Sequence, residues 1–351
     1  MLGINLGIWA SAWRAPTMGA YVRPADWLTL PSLGPTDQRI VGLFAVGDHS
    51  SNFCALNVTG TGSYVIDWGD GTSPETVASA TTAYHNYSYS AAPLVGTESS
   101  RGYRQAIVSV TMASGNMTGI NLNTKHSQSG LPTGYCVPWL DISLSAHNAT
   151  SIMFGGSTVL AGLVEKITVV AAGAITNTTN MFQACVSLAS LTLPAGFGGA
   201  ITNTTNMFYN CYALASLTLP AGFGGAITTA TSMFQACVSL ASLTLPAGFG
   251  GAITNTTSMF QSCIALLEIL GLSLPVLVTS TTMFSSAYSI RKASMSIPVA
   301  FTIAACMSAA ELNALYTALP TAVGKTITCS GNYGFAASDI TILNLKGWSA
   351  T

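Results

Sequence analysis

Between residues 174 and 287 the apolar positions form a pattern that returns every 26 residues. In the stretch that begins at Asn180, the set is Met181, Phe182, Cys185 and Leu188. It recurs as Met207, Phe208 and Cys211, then Met233, Phe234 and Cys237, then Met259, Phe260 and Cys263. A spacing of i, i+1, i+4, i+7 lines one face of a short helix. The residues just before it, Asn180, Asn206, Ser232 and Ser258, stand where helix N-caps are expected. Downstream the period changes to two: Leu191 and Leu193 alternate with Ser190 and Thr192, as in a short strand. Pro194 ends that strand and "AGFGG" bends the chain. One copy therefore predicts helix, short strand, turn.

No single copy can bury its own apolar face, whereas stacked copies share one core. Parallel stacking puts like residues over one another. Met-Phe-Cys and the row Leu193, Leu219, Leu245 then face inward, and the pairs Ser190 and Thr192, Ser216 and Thr218, Ser242 and Thr244 face outward as a candidate contact surface. No Asp, Glu, Lys, Arg or His lies between Ile167 and Leu267. That gap follows from stacking, because each charge would sit beside its own copy. The array decays at both ends: "SIMFGG" at Ser151 is an imperfect early copy, and "TMFSSAYSI" at Thr282 has Ala287 where a cysteine is due. After Ala305, "SAAELNALYTALP" predicts a capped helix, "KTITCSG" a strand, and "SDITILNLKGW" a helix carrying Trp348.

The pattern "ITNTTNMFQACVSLASLTLP" resembles BspA-like leucine-rich repeats, over roughly Ala174–Ala287. The resemblance implies a leucine-rich-repeat solenoid with short helices and parallel strands, and implies no ligand. Upstream, "YVIDWGDGT" reads as a strand entering an Asp-Gly turn built from Asp67, Gly69, Asp70 and Gly71. With His85 and Tyr87 it resembles the signature of PKD-type domains, which implies an Ig-like β-sandwich over about residues 40–89. The expected fold class is thus a mixed α/β repeat protein, an N-terminal PKD-type sandwich followed by the solenoid. The expected divisions are an arm at 1–38, the sandwich at 39–103, the solenoid at 104–304 and a C-terminal cap at 305–351. The arm carries Trp9, Trp13 and Trp27, which either anchor to a partner subunit or pack on the chain's own sandwich.

Composition narrows the function. Of 351 residues only 7% are charged, with 11 Lys+Arg against 12 Asp+Glu, so there is no cationic footprint for nucleic acid. No apolar run approaches the roughly 18 residues of a spanning helix, so membrane insertion is not expected. No Lys or Arg precedes the apolar start, so no secretory signal is expected either. The eight cysteines show no metal spacing, and those in the repeat read as buried thiols. Asp67 and Asp70 could be taken as calcium ligands or an acid/base pair, but turn chemistry accounts for Asp70. "LPTAVGKT" falls short of a phosphate loop because Leu319 stands where glycine is required. The expectation is a non-enzyme with no cofactor and no metal. The layout, including "RPADWLTLP", resembles phage tail-fibre-type virion proteins. That implies a homo-oligomer such as a trimer, contact with other virion proteins, a host surface receptor or glycan, and location in the virion. A bacterial surface adhesin is the alternative, and an ice-binding hydroxyl array a third reading.

Overall fold

The computed structural model describes residues 21–128, 137–156 and 161–351. Its first half contains β1 (Gln38–Val46), β2 (Phe53–Gly60), β3 (Tyr64–Asp67), β4 (Glu75–Val77), β5 (Thr82–Asn86), β6 (Arg104–Met112), β7 (Met117–Asn121), β8 (Trp139–Ala146), β9 (Ser151–Met153) and β10 (Lys166–Ala172). The repeats add β11 (Ser190–Thr192), β12 (Ser216–Thr218), β13 (Ser242–Thr244), β14 (Glu268–Ser273) and β15 (Lys292–Ser296). The C-terminal part holds β16 (Phe301–Thr302), α1 (Ala309–Ala318), β17 (Lys325–Thr328), α2 (Thr341–Asn344) and β18 (Trp348–Ala350).

Two sheets share the N-terminal core. One runs β4-β3-β6-β1-β8-β10-β11 and the other β5-β2-β7-β9. β1 is the centre of the first, pairing antiparallel with β6 and β8, and "IVGLFAV" is buried along its whole length. Both sheets then change direction of pairing. β8 meets β10 in parallel, β10 meets β11 in parallel, and β7 meets β9 in parallel. The two layers therefore continue as the walls of the repeat region. A single apolar cluster extends from Ile40 to Trp348.

This bears on the expected PKD-type sandwich. An Ig-type sandwich is a self-contained pair of antiparallel sheets. Here the strands of the expected span do pair antiparallel, but both sheets are completed by β6 to β11 beyond it, with parallel pairing at their ends, so the N-terminal region is β-sheet and a PKD-type module is not confirmed. The boundary expected at Arg104 falls at the start of β6, which lies between β1 and β3.

The repeats form a β-solenoid, not a helix-bearing leucine-rich-repeat solenoid. Among the described residues α-helix is confined to α1 and α2, both C-terminal to the repeats. Where helix was expected, the chain makes linked β-turns: Met181 N–H bonds Thr178 O, Gln183 N–H bonds Asn180 O, Cys185 N–H bonds Phe182 O, and Leu188 N–H bonds Cys185 O. Asn180 and Ala184 sit at φ +63° and +57°. As third residues of turns 178–181 and 182–185, they give those turns the type II form. A positive φ every fourth residue forbids a right-handed helix. The expected N-caps Asn180, Asn206, Ser232 and Ser258 are instead these left-handed corners.

The turns leave alternate amides free to bond the next coil. Thr178, Asn180, Phe182 and Ala184 donate to the carbonyls of Asn203, Thr205, Met207 and Tyr209 at 2.8–3.0 Å. The same four-bond set joins each coil to the next as far as Ser262 N–H to Ser285 O. By contrast the strands are short, and ladder pairing joins β10 to β11, β12 to β13 and β14 to β15 but not β11 to β12. The turns, more than the strands, are the continuous spine.

Side chains stack accordingly. The rings of Phe154, Phe182, Phe208, Phe234, Phe260 and Phe284 lie nearly parallel, with neighbouring centroids 5.2–5.7 Å apart. A second row, Phe197, Phe223 and Phe249, repeats at 6.4 Å. It explains "AGFGG": at Gly198, φ +90°, a Cβ would lie 2.1 Å from the Phe223 ring, so the bend accepts only glycine. At the far end Phe301 meets Phe284 edge-on, and the parallel strands β16, β17 and β18 follow. Ser308 caps α1 by accepting from Glu311 N–H, and its hydroxyl donates to the Glu311 carboxylate.

Candidate functional site

The expected core ladder is placed in one buried column. Met181, Phe182, Cys185, Met207, Phe208, Cys211, Met233, Phe234, Cys237, Met259, Phe260 and Cys263 are all fully buried. The cysteines do more than fill space. The thiols of Cys211, Cys237 and Cys263 donate to the carbonyls of Phe182, Phe208 and Phe234 in the preceding coil, at 3.2, 3.1 and 3.0 Å. Each carbonyl already accepts a turn amide, so the thiol occupies its second lone pair. Burial pushes the Cys211 and Cys237 thiols well above their ordinary range and that of Cys263 up to about 12. Such thiols are poor nucleophiles.

The outward strand residues Thr192, Ser216, Thr218, Ser242 and Thr244 are exposed and Ser190 is half-buried. Ser216 and Thr218 lie in register with Ser242 and Thr244. Strand-ladder pairing fixes the register of these hydroxyls between β12 and β13 and does not extend from β11 to β12. A second hydroxyl column escaped sequence reading. Thr202, Thr228 and Thr254 each donate both N–H and Oγ1 to the carbonyl of the threonine one coil earlier. The Asn177, Asn203 and Asn255 side chains accept the amide two residues on, setting the turn that opens those three coils. "TNTT" carried that signal, but it reads equally as ordinary surface composition.

The Asp-Gly turn is a closed network. Asp67 Oδ1 accepts Gly69 N–H at 2.9 Å. Asp70 Oδ1 accepts the Thr72 amide and hydroxyl, and Asp70 Oδ2 meets His85 Nε2 at 2.8 Å. Burial raises the Asp70 carboxyl, but the Thr72 and His85 bonds outweigh it and the net direction is down. His85 stacks on Trp68 at 4.8 Å, and the Tyr87 hydroxyl donates to Trp68 O. Gly69 and Gly71 turn at φ +76° and +85°. Both carboxylate oxygens of Asp70 are thus engaged in holding the turn.

Trp9 and Trp13 lie outside the described residues. Trp27 is 3% exposed and packs on Leu43, Ala45, Tyr103 and Leu140, with Nε1 donating to the Tyr103 hydroxyl at 2.8 Å. Arg23 bonds Asp141 at 2.6 Å and lies over the Trp27 ring, as does Arg101, which pairs with Glu165. From Tyr21 on, the arm is clamped to the chain's own first sheet. Its ion pair spans 118 residues and had no sequence signature.

Among the described residues no group of three or more His, Cys, Asp or Glu could hold a metal ion. No helix among them is long and apolar enough to cross a membrane. No family model, no curated protein and no solved structure matches the chain. The BspA-like and phage tail-fibre-type resemblances therefore find no support in relatives, and the helix-poor coils overturn the first on structural grounds.

Proposed function

We propose that the chain is a non-catalytic structural protein whose β-solenoid is a stiff scaffold with a neutral hydroxyl-rich surface. The observation that carries this reading is the unbroken column of stacked coils from Phe154 to Phe284, sharing one core with the N-terminal sheets. Such a column resists bending because each coil is bonded to the next along its turns, and the thiols of Cys211, Cys237 and Cys263 are buried and spent on carbonyls. Its setting, on this reading, is a multi-subunit assembly, a virion appendage in which copies of the chain associate and the outer face meets a host surface receptor or glycan. Low surface charge favours such association.

Mass spectrometry of density-purified particles, beside the soluble fraction, tests the setting. The chain is expected in the particles at stoichiometric level. Its recovery only as a soluble monomer would overturn the assembly reading.

A further inference from the structure

The turn ladder ends abruptly. The coil at Thr279–Ser286 receives four bonds from the coil before it, at the carbonyls of Thr279, Thr281, Met283 and Ser285. It also makes its own turns, Met283 N–H to Ser280 O, Ser285 N–H to Thr282 O and Ala287 N–H to Phe284 O, with Thr282 and Ser286 at φ +53° and +60°. Its geometry is thus that of every earlier coil. In those coils the amides at the positions of Ser280, Thr282, Phe284 and Ser286 donate to the next coil. Here no acceptor among the described residues meets them. The four amides stand in a row along an open groove of about 710 Å³, bounded on the far side by Val299, Ala300, Ala304 and Lys325.

We propose that this row is a docking edge for an extended segment of a partner polypeptide, which adds to the solenoid as one more coil. Three features select that occupant. First, the carbonyls of Ser280, Thr282 and Phe284 are already used within turns, so the edge offers donors and needs acceptors. Two identical edges would bring donor against donor, which disfavours symmetric pairing of copies. Second, the donors fall on every second residue instead of converging on a point. A single anion could satisfy only part of such a row, whereas a chain placing a carbonyl at alternate residues matches it throughout, as in other edge additions. Third, "TSTTMFSS" carries no charge and no proline, the usual means of blunting an exposed edge. The fitting segment is rich in small and hydroxyl residues, because Phe301 already covers Phe284 and leaves no place for a second Met-Phe pair. This goes beyond the scaffold reading, and failure to bind would leave the particle measurement above unaffected.

Amide exchange measured by NMR on the full chain tests the proposal. The probe is a synthetic peptide copying residues 253–262, with alanines replacing its Met-Phe pair, since this sequence supplies acceptors within the solenoid itself. In the free chain the amides of Ser280, Thr282, Phe284 and Ser286 should exchange faster than those of Ser258, Phe260 and Ser262. Saturating peptide should slow those four by about tenfold or more. Ala300→Trp, or Ala304→Arg if the first fails to fold, should abolish the slowing at unchanged Tm. Four results would each overturn it: no slowing at millimolar peptide, slowing that survives the groove variants, concentration-dependent protection without peptide, or equal protection by an alginate oligosaccharide.

Discussion

At Cys237 the thiol donates to Phe208 O, a bond that alanine in its place would lack. Cys237→Ala should cost about 1–2 kcal/mol, from a small void and a buried carbonyl left with one donor. Denaturant melts of the two chains would show it. The same geometry predicts reactivity: iodoacetamide followed by peptide mapping should label exposed Cys306 in the native chain and spare Cys211, Cys237 and Cys263. Asp70 gives the pH dependence. Its folded pKa lies below the ordinary 3.8, so its contribution to stability is present above that value and is lost as pH falls through the folded one. The stability gap between the parent chain and Asp70→Asn should therefore be widest near neutral pH and shrink below about pH 4. A gap that widened on acidification would contradict the assignment.

Short strands were legible because Leu217 and Leu219 alternate with Ser216 and Thr218, and the structure buries the first pair and exposes the second. The helix was misread for a physical reason. Turns linked at four-residue intervals and an α-helix both bring i and i+4 to one side, so Met181, Cys185 and Leu188 satisfy either. The discriminating sign was Asn180, Asn206 and Asn210, a residue type that tolerates positive φ. Ala184 and Ala236, at +57° and +59°, hid it. Those alanines pay about 1–2 kcal/mol for a left-handed conformation. Ala236→Gly, losing about 0.5–1 kcal/mol of chain entropy in exchange, should leave stability unchanged or raise it by up to about 1.5 kcal/mol. Ala236→Val should lower it by at least about 1 kcal/mol. The opposite order in thermal melts would refute the linked-turn description.

Across the whole molecule, stacking and the neutral surface were readable from the 26-residue period and the missing charges. The joining of sheet and solenoid into one body was not, because it depends on β8 pairing in parallel with β10 and β9 with β7, in segments that lack the regular repeat pattern. One core predicts one cooperative transition. Leu219→Asp, a charge placed in a position 3% exposed, should unfold the repeats and lower protection in β1 and β8 as well, whereas exposed Thr218→Ala should change Tm little. The most direct measurement of the central claim, that successive coils stack in register, is NMR of a phenylalanine-labelled chain. Through-space contacts should join the rings of Phe182 to Phe208, Phe208 to Phe234 and Phe234 to Phe260. Rings without those contacts, together with the short-range amide pattern of helix over residues 178–188, would contradict it.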